Sequence, residues 1–75
     1  MKTVKVFVIY DLTYWSSQLE DILDILRNNG LNIEYHSKSQ LGTVMGTIDE
    51  NKIPALRNIN GVTRVWESHQ YKPLN

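Results

Sequence analysis

The sequence of this 75-residue chain predicts an α+β domain with its elements in the order β-α-β-β-α-β. Four short segments are rich in β-branched and aromatic residues that alternate between two faces, as strands do. Two other segments carry apolar residues at helical spacing and end at a glycine. A chain this short buries only about 60% of the surface that its unfolded form exposes, so we expect a single thin core.

The first strand is predicted from Val4 to Tyr10 at the centre of the sheet. Both faces of this segment are largely apolar, which is typical of a strand with neighbours on each side. One face would carry Val4, Val6, Val8 and Tyr10, and the other Lys5, Phe7 and Ile9.

A helix and an edge strand are predicted next. Ser17 and Glu20 form an S-x-x-E capping box, and Gly30 supplies the stop signal. From Leu31 to His36 one apolar face alternates with one polar face, which predicts a half-exposed strand. The helix would bury Leu19, Ile22, Leu23 and Leu26, and the strand would separate Leu31, Ile33 and Tyr35 from Asn32, Glu34 and His36.

The second half predicts a strand, a short helix and a final strand. Thr43 to Ile48 is predicted to be central, with glycines allowing close backbone approach. Asp49 or Asn51 would cap a helix that has Pro54 in its first turn. Its apolar residues are Ile53, Leu56 and Ile59, the last strand runs from Val62 to Glu67, and residues 68–75 form an extended C-terminal tail of the single domain 1–75.

Right-handed crossovers turn this element order into the ferredoxin-like fold, a four-stranded antiparallel sheet with two helices on one face. The chain offers no third layer to cover the opposite face. Phe7, Met45 and Trp66 are candidates to lie there, and an uncovered apolar face usually marks a contact surface.

Charge and composition exclude several classes of function. Eight basic and eight acidic residues give a formal net charge of zero, which disfavours a general nucleic-acid or membrane-surface binder. No apolar stretch approaches the roughly 20 residues that span a bilayer, and no signal peptide is visible after Met1. We therefore expect a cytoplasmic protein.

No residue constellation predicts catalysis, a metal or a cofactor. Cysteine is absent, and His36 and His69 lack co-ligands at a recognised spacing. Glu34 and His36 are interpreted as solvated residues of an exposed strand face. Residues 11–15 are acidic and aromatic, unlike the anion-cradling loop of acylphosphatases, which share the ferredoxin-like fold. RNA recognition is disfavoured because strand three offers no aromatic residue to stack a base beside Phe7 and no basic cluster surrounds this position.

Two aromatic positions stay open. Tyr14 and Trp15 follow the first strand and would act either as a hydrophobic staple for the helix, which we favour, or as a partner contact. Trp66 belongs to the core if it faces the helices, and to an interface if it shares the open face with Phe7.

The segments Gly42 to Ile48 (GTVMGTI) and Ile53 to Glu67 (IPALRNINGVTRVWE) resemble the subtilisin-propeptide-like inhibitor family. That family combines a glycine-containing third strand, a short helix, a G-V-x-x-V-E-x-D stretch and an extended tail. The chain departs from the stretch where Trp66 and Ser68 stand at the two acidic positions, leaving Glu67 as the only carboxylate.

The resemblance implies a free-standing, non-enzymatic module that inhibits a subtilisin-type serine protease or assists its folding. The open sheet face would pack on the protease, and the tail would lie in the active-site cleft by strand addition. The implied contact residues are Phe7, Met45, Trp66, Glu67, Tyr71, Lys72, Pro73 and Leu74. The alternative is a regulatory or structural domain that buries the same face against its own copy.

Overall fold

The computed structural model describes residues 2–15, 19–38 and 42–68, and confirms an α+β class with a four-stranded antiparallel sheet. The predicted order of strands and helices is present, with one short 3₁₀-helix added before the second α-helix. The elements are β1 (Thr3–Tyr10), α1 (Leu19–Asn28), β2 (Asn32–Ser37), β3 (Gly42–Asp49), a 3₁₀-helix (Glu50–Lys52), α2 (Ile53–Arg57) and β4 (Val62–Glu67).

The sheet has the spatial order β2-β3-β1-β4, and neighbouring strands are antiparallel. β1 and β3 are the central strands, as predicted from the two-sided apolar pattern of β1 and from the glycines of β3. β2 and β4 form the edges. β1 pairs with β3 from Thr3 opposite Asp49 to Tyr10 opposite Gly42, which is the longest uninterrupted register in the sheet.

The core lies between one face of the sheet and the helices. β1 contributes the alternating set that was predicted from its period of two, and both α-helices contribute apolar residues to the same cluster. Both helices therefore cover one face, and the other face has no layer over it among the described residues. The buried set comprises Val4, Val6, Val8, Tyr10, Trp15, Ile22, Leu23, Leu26, Leu31, Val44, Ile48, Ile53, Leu56 and Val65.

The helix ends follow local sequence signals. Gly30 has φ of +100°, the Leu31 N–H donates to the Leu26 carbonyl, and the Gly30 N–H donates to the Arg27 carbonyl. These two bonds form the Schellman motif that closes α1. Asp49 caps the 3₁₀-helix by accepting a 3.1 Å bond from the Asn51 N–H. The predicted capping residue Ser17 of α1 lies outside the described residues.

Strand β2 corrects one prediction. Its register with β3 changes between Ile33, opposite Gly46, and Tyr35, opposite Met45, so Glu34 is the extra residue of a β-bulge. The bulge inverts the alternation that follows it. Tyr35 consequently leaves the helix-covered side, where the period of two had placed it, and His36 takes its place there.

α2 is shorter than the spacing of its apolar residues predicted. It ends at Arg57, with Asn58 as its C-cap, so Ile59 lies in the following turn and not in the helix. Pro54 stands in the first turn, as expected. Within the described ranges, no helix is long and apolar enough to cross a membrane.

Candidate protein-binding surface

The open face of the sheet, opposite the helices, carries one apolar side chain from each strand at the same level. Phe7 on β1 lies opposite Met45 on β3 and opposite Trp66 on β4, and Met45 lies opposite Tyr35 on β2. Residues directly opposite each other on neighbouring strands share a face. These four residues form a continuous line across the sheet, called the apolar row below.

The apolar row is well exposed at its two ends. Tyr35 is 53% exposed and Trp66 is 40% exposed, whereas Phe7 and Met45 between them are half-buried by their neighbours. The Phe7 and Trp66 rings stack with their centroids 5.5 Å apart and their planes 15° from parallel. Trp66 therefore shares the open face with Phe7 and does not belong to the core.

Charges flank the apolar row without interrupting it. The Lys5 Nζ lies 3.2 Å from a carboxylate oxygen of Glu34, so these two charges neutralise each other across β1, β3 and β2. The Arg64 guanidinium lies 5.7 Å from the centroid of the Trp66 ring, a cation–π geometry that stiffens this exposed end of the row. The bulge at Glu34 turns its carboxylate toward Lys5.

A shallow cavity of about 380 Å³ adjoins the β4 end of the apolar row. It is lined by Ile9, Thr63, Arg64 and Trp66, and the Thr63 hydroxyl donates a 3.2 Å bond to the Ile9 carbonyl. The combination of an aromatic wall with a guanidinium is suited to an apolar side chain that carries a polar or acidic end. The open face therefore combines a flat apolar centre with a recess at its β4 end.

The outer edge of β4 is partly covered. The Ser68 N–H donates to the Lys5 carbonyl of β1. Because backbone groups alternate between the two sides of a strand, Trp66 and Arg64 also direct theirs toward β1, whereas Val65 directs its N–H and carbonyl outward. The Val65 carbonyl accepts a 3.0 Å bond from the Arg57 guanidinium of α2. This contact occupies a backbone acceptor that an added strand would need.

The residues predicted to bind a partner are divided by the structure. Phe7, Met45 and Trp66 are brought together in the apolar row. Glu67 lies opposite Val6, whose side chain is fully buried under the helices, so Glu67 lies on the other side of the sheet from Trp66. Tyr71, Lys72, Pro73 and Leu74 lie outside the described residues.

Two members of this surface, Tyr35 and Arg64, were not predicted from the sequence. Arg64 could have been found, because it stands two residues before Trp66 on the same strand and must share its face. Tyr35 could not have been found from the alternation of β2, because the bulge that reverses its direction depends on pairing with β3.

A polar contact on the covered side of the sheet corrects the prediction for His36. This residue is half-buried, and its Nε2 lies 2.7 Å from the hydroxyl of Tyr10, a fully buried side chain. The rings also stack, with their centroids 6.0 Å apart. Desolvation by burial raises the pKa of the Tyr10 hydroxyl, so the phenol keeps its proton beside the imidazole.

Tyr14 and Trp15, which follow β1, differ in burial. Trp15 is 6% exposed and belongs to the core, where its indole N–H has no hydrogen-bond partner among the described residues. Tyr14 is 52% exposed and contacts the Trp15 ring edge-on with centroids 5.1 Å apart. Packing therefore accounts for Trp15, while Tyr14 is an exposed aromatic away from the apolar row.

Acidic and imidazole side chains are dispersed over the described part of the chain. Within it, no three His, Cys, Asp or Glu residues come close enough to hold a metal ion together. His69 lies outside the described residues. Comparison with protein-family models, curated proteins and solved structures gave no match. The resemblance to propeptide-like inhibitors therefore rests on the sequence segments alone.

Proposed function

We propose that this chain is a non-enzymatic protein-binding module that docks through its open face and inhibits, or assists the folding of, a subtilisin-type serine protease. The apolar row is the observation that carries this proposal. Two of its four members are exposed aromatics, and aromatic side chains in a contiguous patch are the usual anchors of protein interfaces. The proposed compartment is the cytoplasm, so the target would be an intracellular enzyme.

The proposed fold class is ferredoxin-like. The order β2-β3-β1-β4, antiparallel neighbours and two helices that share one core support it. This class leaves one sheet face without a layer, and that is the surface on which the proposed docking takes place.

A protein partner fits this surface better than a nucleic acid or a small ligand. Lys5 is paired with Glu34, so among the described residues Arg64 is the cation that remains beside the row, whereas binding a phosphate backbone requires several cations. The recess beside Trp66 is shallow, whereas small-molecule sites enclose most of their ligand. A broad, nearly flat patch is suited to another protein's surface.

The tail is proposed to act with the open face. Leu74 would fill the primary specificity pocket of the protease, and Tyr71 the apolar subsite three residues upstream. Pro73 would reduce the entropy lost when the segment orders, and Lys72 would point to solvent. Glu67 lies on the helix-covered side of the sheet, away from the apolar row, and is therefore left out of the proposed contact.

The test is inhibition of a broad-specificity subtilisin by the full-length chain at micromolar concentration. We expect the protease to be slowed, and we expect Trp66→Ser and a chain truncated after Gln70 each to lose most of the inhibition. Tyr14→Ser is the matched control, because it removes an exposed aromatic that lies off the apolar row. Circular dichroism establishes that each variant is folded.

Two results would contradict the proposal. If the full-length chain does not slow the protease, or is digested by it, the chain is not an inhibitor of this class. If Tyr14→Ser weakens inhibition as much as Trp66→Ser does, the open face is not the docking surface.

A further inference from the structure

We infer that, without another partner, a second copy of this chain covers the open face and forms a two-fold dimer with the sheets packed face to face. The inference rests on the proposed function in using the same surface, and it names a further occupant of that surface. Four features of the molecule carry it: the blocked sheet edges, the internal charge balance, the order of residues in the apolar row, and the available area.

The sheet edges are poorly suited to joining two copies side by side. On β4, the Arg57 guanidinium occupies the outward Val65 carbonyl. On β2, the bulge at Glu34 breaks the regular spacing of backbone groups. Both are devices by which proteins prevent strand addition at an edge. An uncovered face beside two obstructed edges directs association to the face.

The charges on the open face are compatible with a second copy. An isologous interface places the same patch on both sides, so an unbalanced patch would repel itself. Here Lys5 and Glu34 form an ion pair within one chain, and Arg64 lies at the β4 edge over its own Trp66 ring. No unpaired charge among the described residues lies at the centre of the row.

The order of the apolar row selects the direction of the two-fold axis. The order Tyr35, Met45, Phe7, Trp66 runs from one edge strand to the other. An axis parallel to the strands, between β3 and β1, places Tyr35 against the partner's Trp66 and Met45 against the partner's Phe7. Each pair is aromatic on aromatic or sulfur on aromatic, and both contacts are favourable.

The same axis keeps like charges apart. Lys5 lies opposite Thr47 in the sheet, so it would face the partner's Thr47. Arg64 shares its level with Ile9, Thr43 and Ser37, so it would face the partner's Ser37. An axis along the row would instead set Lys5 against the partner's apolar Ile9.

The area predicts a weak dimer. Four strands about 4.8 Å apart and about 20 Å long present roughly 400 Å² of flat sheet per copy. Because side chains project from the sheet and add surface to this flat area, the two copies would bury roughly 1,000 Å² in total. This value is near the lower limit for a specific interface. We therefore expect a micromolar dissociation constant, so that a tighter-binding partner can displace the second copy.

Sedimentation velocity of the full-length chain between about 1 and 200 µM tests the association, a range that brackets a micromolar constant. We expect monomer at the low end and dimer at the high end. Trp66→Lys and Phe7→Lys should remain monomeric throughout, whereas Tyr14→Lys should dimerise as the parent does. Trp66→Lys keeps the test valid if Phe7→Lys does not fold. A parent that stays monomeric, or a dimer that tolerates Trp66→Lys, would overturn the inference.

Cysteine cross-linking tests the geometry, because the native chain contains no cysteine. Tyr35→Cys and Trp66→Cys chains are treated with a short bis-maleimide, alone and mixed. The two positions are about 14 Å apart within one chain and about 10 Å apart across the proposed dimer. We expect cross-linked pairs in the mixture and few in either variant alone, and mass spectrometry identifies them.

Each outcome of the cross-linking is decisive. Pairs of two Tyr35→Cys chains would place the axis along the row and overturn the proposed arrangement. The absence of any cross-linked pair, at a concentration where sedimentation shows the mixture to be dimeric, would overturn it as well. The experiments also separate the two proposals. If the chain inhibits the protease but stays monomeric, the proposed function is supported and the self-association is contradicted. If the chain dimerises but does not inhibit, the reverse holds.

Discussion

At the scale of single residues, the contact between Tyr10 and His36 is the main polar feature of the covered side of the sheet. Tyr10 is fully buried on β1, and its hydroxyl reaches a half-buried imidazole on β2, two strands away. Its ring also packs over Gly42, where an added Cβ would overlap the ring atoms. A large aromatic with a polar end is thus accommodated by a glycine beneath it and a hydrogen-bond partner at its tip.

Removing the Tyr10 hydroxyl should therefore destabilise the fold. We expect Tyr10→Phe to lower the free energy of unfolding by about 1 kcal/mol, because the half-buried imidazole Nε2 loses this hydrogen-bond partner. Urea denaturation measures the change. Tyr35→Phe is the matched control and should change stability little, since that ring is half-exposed. Equal effects in the two variants would contradict the assignment.

The same residue predicts a response to alkaline pH. Burial raises the pKa of Tyr10 above its ordinary value of 10.0, so the folded chain retains the phenol proton at pH values where the unfolded chain has lost it. The associated stability is fully present below pH about 10 and is lost as the pH rises through the folded-state pKa. The free energy of unfolding should therefore fall more steeply above pH about 10 in the parent chain than in Tyr10→Phe. Parallel curves for the two chains would contradict this prediction.

At the scale of elements, the ends of α1 and the course of β2 have different origins. The C-terminus of α1 is closed by the two backbone bonds of the Schellman motif, for which Gly30 adopts a left-handed conformation. The bulge in β2 has no comparable local signal. It arises where Ile33 and Tyr35 both pair with β3 while Glu34 does not.

Replacing Gly30 by alanine tests the contribution of this helix end. The φ of +100° is strained for any residue with a Cβ, and the added atom would also meet the Lys52 side chain. We expect Gly30→Ala to lower the free energy of unfolding by roughly 1–2 kcal/mol, as measured by urea denaturation. Asn28→Ala, at the exposed last residue of α1, is the control and should be neutral or slightly stabilising. A neutral Gly30→Ala would show that the turn relaxes freely.

At the scale of the whole molecule, stability depends on one layer of side chains between the sheet and the helices. α1, α2 and all the described strands except β2 place fully or nearly fully buried residues in a single cluster, which Leu31 extends toward β2. Domains of this size are marginally stable, with roughly 0.05–0.15 kcal/mol per residue. The destabilisation caused by one large cavity in the core is therefore a substantial fraction of the total free energy of unfolding.

Leu56→Ala tests this dependence. Leu56 is the fully buried residue of α2 that faces the sheet, so its truncation should lower the free energy of unfolding by about 2–5 kcal/mol. Leu12→Ala is the matched control, because Leu12 packs against the core while only partly buried, and a smaller loss is expected. Thermal and urea denaturation measure both. A loss at Leu12 that equals the loss at Leu56 would contradict the single-core description.

The sequence by itself determined the element order, the α+β class, the central positions of β1 and β3, and the glycine that ends α1. These features depend on the local periodicity of apolar residues and on conformational preferences that each short segment carries alone. Tertiary structure decided the position of Tyr35 and the contact of His36 with Tyr10, because the bulge that reverses β2 exists only when β2 pairs with β3. It also decided that Trp66 stacks on Phe7, because the register between strands far apart in sequence is set by the assembled sheet and not by either strand.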